Sequence, residues 1–158
     1  MSDKPQFVYV IYIRTTAEAL WNALIDPEQT RKYWAGTWQE SEWKPGAAWR
    51  IMMPDGRIAD SGEVVEIEPH KRLVVTWRNE FRPELTVEGF SRLTYQLEQQ
   101  GDMVKLMLTH EMLELPGGPS KFIDAVSSGW PAILSSLKSM LETGESLEAT
   151  RRWSEKAK

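Results

Sequence analysis

The chain has 158 residues, no cysteine, and 23 acidic against 19 basic side chains, for a net charge of -4. That length suits one domain able to bury about two thirds of the surface its unfolded form exposes. The lack of cysteine excludes disulfides, thiolate metal sites and cysteine nucleophiles, and makes a reducing, cytoplasmic setting the expectation. With no clustered cationic footprint, nucleic acid is not an expected partner.

The first apolar run, Phe7 to Ile13, is far shorter than the roughly 20 residues of a membrane helix. It is β-branched and aromatic on both faces, so it predicts a strand covered on both sides or lying at a closure of the sheet. No signal peptide and no membrane span are expected. Thr15-Thr16-Ala17-Glu18 reads as a capping box with Thr15 as the cap, opening a short helix with Leu20, Trp21 and Leu24 inward. Asp26-Pro27 opens a second short helix toward Tyr33-Trp34, with proline at the first helical position.

From there the period changes, and turn signals recur at Pro45-Gly46, Pro54-Asp55-Gly56, Pro69-His70-Lys71 and Gln100-Gly101-Asp102, which predicts an antiparallel meander. Leu73, Val75, Trp77, Asn79 and Phe81 alternate on one strand. Leu93, Tyr95 and Leu97 face one way on the next, and Val104, Leu106, Leu108, His110 and Met112 on the one after. One face of such a sheet is apolar and the other wet.

After the Pro116-Gly117-Gly118-Pro119 turn, apolar residues from Phe122 and Val126 through Trp130 to Leu141 recur at intervals of three and four, up to Gly144. This predicts an amphipathic helix of about six turns, capped by Gly144. Pro131 should kink or divide it, or else mark the first turn of a helix that begins late. Residues 145–158 read as a polar tail, so residues 1–144 form the expected single domain.

The order strand, two short helices, meander, long helix resembles the helix-grip layout of the START and birch-pollen-allergen (SRPBCC) superfamily. Asp55-Gly56-Arg57, Gly62 to Pro69, Arg72 to Trp77 and Gly129 to Lys138 resemble more closely the bacterial proteins related to the C-terminal domain of the heat-shock-protein-90 ATPase activator. The resemblance implies an α+β fold, a curved antiparallel sheet of about six to seven strands wrapped around the long C-terminal helix. It also implies a cavity between sheet and helix.

Strand directions gather Trp77, Asn79, Phe81, Leu93, Tyr95, Leu108, His110 and Met112 at one end of the sheet, under Phe122, Val126 and Trp130 of the helix. Large aromatics with few polar groups on an inward face are what small-molecule cavities are lined with, although the same residues can simply pack a core. His110 has two readings: a hydrogen-bond donor or general acid/base toward a ligand, or a core histidine bonded to Tyr95 or to backbone. His70, in a turn, is expected at the surface. No catalytic constellation, metal cluster or cofactor motif is present. The expected function is binding of an apolar or aromatic small molecule by a non-catalytic carrier. A cyclase or hydrolase of polyketide-like substrates is the alternative, and a stress-associated chaperone module ranks below both, with homodimer formation left open.

Overall fold

In the computed structural model, which describes residues 4–114 and 119–151, the chain forms a seven-stranded antiparallel sheet and one long helix. Strand β1 (Gln6–Ile13) leads through helices α1 (Ala17–Ile25) and α2 (Pro27–Tyr33) into the meander. The meander runs β2 (Trp38–Ser41), β3 (Ala48–Met52), β4 (Ile58–Glu68), β5 (Arg72–Asn79), a helical turn α3 (Pro83–Thr86), β6 (Ser91–Gln100) and β7 (Met103–Met112). Helix α4 (Lys121–Thr143) and the short α5 (Glu148–Arg151) follow. The strand order β1-β7-β6-β5-β4-β3-β2 places the first strand beyond the last.

Local signals explain most boundaries, and three departures have physical reasons. The cap of α1 is Thr16, not Thr15: its hydroxyl accepts from Ala19 N–H at 3.1 Å. Glu18 then sits one position too early for a reciprocal box, and the free Ala17 N–H is taken instead by Gln99 of β6 at 2.7 Å. Strand β1 is not covered on both sides. It is an edge strand, and because α4 packs on one side only, Val8, Val10 and Tyr12 point to solvent. Helix α4 is neither divided nor late: it begins at Ser120, whose hydroxyl caps Ile123 N–H at 3.0 Å, and runs through Pro131 to Gly144, at φ 89°.

The start of α4 is held from outside as well. Glu88, just beyond α3, accepts from the Ser120 hydroxyl at 2.6 Å and from Lys121 N–H at 2.9 Å, placing a carboxylate where the helix dipole favours one. Part of the expected tail also docks. Thr150 of α5 is buried, and its hydroxyl donates to Ser136 Oγ of α4 at 2.8 Å. His70 is exposed in its turn. The Gly117-Gly118 turn and the rest of the expected tail, residues 152–158, lie outside the described residues. Among the described residues, no helix is long and apolar enough to cross a membrane.

The sheet bends around α4 where the ladder slips, between Ile51 and Met52 of β3 and between Val64 and Glu66 of β4. Such irregularities increase local twist and bend. Close to the second, a Cβ on Gly62 would overlap the carbonyl of Thr76 on β5, so the strands can approach there only without a side chain. Gly62→Ala is therefore expected to cost about 3 kcal/mol in chemical denaturation. Gly129→Ala in mid-α4, where a Cβ meets nothing within 4 Å, is expected to stabilise by about 1 kcal/mol.

Candidate functional site

Strand register sets the site. Trp77 pairs with Ser91 and Ser91 with Met112, while Leu93 pairs with His110, and Asp60 pairs with Asn79. Side chains two apart share a face, so Trp77, Ser91 and His110 converge on the concave side, where Trp130 of α4 descends. The Trp130 indole N–H donates to His110 Nδ1 at 3.1 Å. An indole can only donate, so the imidazole proton lies on Nε2 and is donated to Ser91 Oγ at 2.8 Å. Ser91 donates in turn to the Trp77 carbonyl at 2.9 Å.

This chain of bonds uses both nitrogens of His110. Burial pushes its pKa down to about 3, so the ring is neutral, and it presents no free donor or acceptor. Its partners are Ser91 and Trp130, not Tyr95. Around it the rings pack closely: Trp77 lies 5.1 Å from His110, 4.8 Å from Trp49 and 5.7 Å from Trp130, and Trp34 lies 5.1 Å from Trp130.

Above this cluster, between β3, β4, β5 and the first half of α4, is a cavity of ≈ 250 Å³. Trp34, Trp77 and Trp130 form its aromatic wall, Ile51, Met53 and Leu85 add aliphatic surface, and Phe122, Val126 and Gly129 form the helix side. Of the residues expected at the site, Trp77, Asn79, Phe81, Phe122, Val126 and Trp130 line this cavity. Leu93, Tyr95, Leu108, His110 and Met112 do not; they are buried in the packed core. For Tyr95 and Leu108 the difference follows from register, since they share a row with Leu73, two rows below Trp77, whereas Met112 shares the Trp77 row but lies two strands away on β7. Phe81 lies past the end of β5 and is 37% exposed, at the rim.

The cavity also holds a residue that sequence reasoning passed over. Asp60 of β4 is 9% exposed. Its Oδ1 accepts from the Trp77 indole at 2.8 Å and from the Asn79 amide at 3.4 Å. Burial raises its pKa to about 7; these two hydrogen bonds oppose the shift, and the nearby Glu80 charge adds to it. Asn79 itself ends β5, accepting from the Phe81 and Arg82 amides at 3.2 and 2.8 Å. The alternating segment from Arg78 to Glu84 closes into local ion pairs, Arg78 with Glu80 at 2.7 Å and Arg82 with Glu84 at 2.8 Å. The only hint of Asp60 in the sequence was an acidic residue at an inward slot two positions before Gly62. Among the described residues, no cluster of histidines and carboxylates is placed to hold a metal.

A curved antiparallel sheet closed on one long helix, with a cavity where the two diverge, defines a helix-grip domain. Residues 14–142 match the family of activator of Hsp90 ATPase homolog 1-like proteins, and the chain belongs to that family. Solved structures agree at the level of fold. A Mesorhizobium loti protein is similar at 21% identity and TM-score 0.72, over 87% of this chain and 97% of its own. CalU16 from Micromonospora echinospora is similar at 20% and 0.69, over 97% and 83%. The Aha1 dimer from Colwellia psychrerythraea is similar at 18% and 0.68, over 89% and 98%. No curated protein matches the chain.

Two predictions follow from the buried polar groups. Ser91→Ala leaves the His110 Nε2–H without a partner and is expected to lower unfolding free energy by about 1–3 kcal/mol. For Asp60, a folded pKa near 7 against an ordinary value of 3.8 means that the fold favours the protonated form. Its contribution is therefore fully present below about pH 4 and is lost as pH rises toward about 7. At roughly 1.4 kcal/mol per unit the loss amounts to a few kcal/mol. Asp60→Asn removes the titration while keeping the acceptor for Trp77. Denaturant melts should show this variant matching the native chain near pH 4 and exceeding it near pH 8.

Proposed function

We propose that the chain binds a small, largely apolar or aromatic molecule in the cavity beneath α4. The observation that carries this reading is the cavity itself: nearly all of its wall is aromatic or aliphatic, with Thr37, Asp60, Asn79 and Arg82 as the polar exceptions. Pockets for drug-sized ligands run from about 300 to 1,000 Å³ with a similar ratio of apolar to polar groups. At ≈ 250 Å³ this one suits an occupant of one or two fused rings. The indoles of Trp34, Trp77 and Trp130 would contact it, with Asn79 and Phe81 at the outer end.

A second reading, acid–base chemistry on a substrate in the same place, draws on Asp60. A carboxyl that titrates near neutrality in an apolar cleft is suited to that work. His110 is not, because both its nitrogens are committed. A carrier function needs only the cavity and is the conclusion favoured here. The chaperone-linked reading attaches to the family's description, and no feature of the cavity supports it.

Tryptophan fluorescence titrated with flavonoids, naphthalene derivatives, sterols and polyketides tests the proposal, since three indoles border the space. A blue shift or quench with at least one ring compound is expected. Val126→Phe, which fills the cavity from the helix side, should weaken that ligand at least about tenfold, a change of about 1.4 kcal/mol, with the fold retained by circular dichroism. Silence across the whole panel would overturn the reading, as would equal affinity in the filled variant.

A further inference from the structure

The geometry points to an organic cation as the occupant: a protonated amine whose N–H donates to Oδ2 of Asp60 while its hydrocarbon body lies against Trp34, Trp77 and Trp130. This rests on the ligand-binding reading above and narrows it to a chemical class.

The first support is the hydrogen bonding of Asp60. Both bonds it accepts fall on Oδ1. Its Oδ2 accepts nothing from the described residues, yet among them no sealed side-chain oxygen or nitrogen lacks a partner. Oδ2 is therefore not sealed, and Asp60 lines the cavity. The Trp77 and Asn79 bonds hold the carboxyl in place, so its free oxygen is oriented before any ligand arrives.

The second support is the charge around it. From α4 the wall receives Phe122, Ala125, Val126, Gly129, Trp130 and Ile133, none of them charged, and from β3 and the residue after it Ile51 and Met53. Glu80, at the end of β5, adds negative potential at Asp60 and is itself engaged by Arg78 and by Ser61 at 2.8 Å. Among the described residues, Arg82 is the only basic one in the wall; it lies at the rim, half exposed, with its guanidinium on Glu84. His110, behind Trp77, is neutral. A carboxylate ligand such as a fatty acid would bring a second negative charge to Asp60. A purely apolar one would desolvate Oδ2 and give it no donor.

A cation satisfies both features. Its N–H makes a charge-assisted bond to Oδ2, stronger than a neutral one, and indole faces attract a positive charge that an aliphatic wall would only desolvate.

Isothermal titration with naphthylmethylamine and naphthylmethanol tests this, because the two share their rings and differ in carrying an ammonium or a hydroxyl. Near pH 8 the amine should bind about 10- to 100-fold tighter, the range of a hydrogen bond to a charged group. Since Asp60 titrates near 7 and the amine stays protonated, that advantage should shrink about tenfold near pH 6. In Asp60→Asn it should vanish at both pH values. Equal binding of the two compounds by the native chain overturns the inference and leaves the cavity reading standing. An amine preference that survives in Asp60→Asn overturns the assignment to Asp60. If neither compound binds, this inference fails together with the reading on which it rests.

Discussion

The bond from the Trp130 indole to His110, 3.1 Å long, determines how the long helix sits on the sheet. Helix α4 touches the concave face mainly through apolar side chains, and apolar contact alone is tolerant of sliding and rotation. A buried polar group is not, because leaving it unmade costs the full desolvation of donor and acceptor. The bond therefore constrains the azimuth and height of α4, together with the links from Lys138 to the Tyr12 carbonyl at 2.7 Å and from Arg14 N–H to Glu142 at 2.8 Å. Through His110 Nε2 and Ser91 it continues to the backbone of Trp77, so one polar thread ties α4 to β7, β6 and β5. Each member has one available role, and a neutral histidine is the only protonation state that satisfies all of them.

That thread also separates the two halves of the interior. Below it, Leu93, Tyr95, Leu106, Leu108 and Leu137 fill the space between sheet and helix. Above it the sheet, irregularly paired in β3 and β4, diverges from α4, which runs unbroken through Pro131. The divergence leaves a space that the large rings of Trp34, Trp77 and Trp130 border without filling. Trp77 belongs to both halves: its carbonyl accepts from the thread and its indole holds Asp60.

Asp60 owes its chemical state to the same arrangement. A carboxyl on a solvated strand face would stay ionised, whereas one set between Trp77 and an apolar cavity loses hydration and retains two neutral donors in exchange. The rim of the cavity is tied to the helix start by Glu88, which reaches from the end of α3 to the first amides of α4. The rim and α4 are thus joined by a carboxylate that satisfies the hydroxyl and first amide of the helix start.

Much of this was legible in the residues alone, for a definite reason. Period-two alternation in β6 and β7, period-3.6 spacing in α4, the Asp26-Pro27 start of α2 and the Gly144 stop of α4 are local patterns enforced by backbone geometry, and they read directly. Which of the inward residues line a cavity and which are sealed beneath it was a different matter. That depends on how β4, β5, β6 and β7 slide against one another, and a two-residue step in register moves a side chain a full row along the sheet. So Tyr95 and Leu108 looked equivalent to Trp77 until the pairing was known. The histidine drew notice for its chemistry, while Asp60 was not singled out. The amino-acid sequence by itself determined the elements, their order and the aromatic character of the interior. Tertiary structure alone decided that His110 is spent on packing and Asp60 on the cavity, because burial and hydrogen-bond partners, which set a group's charge and availability, are properties of neighbours distant in the chain.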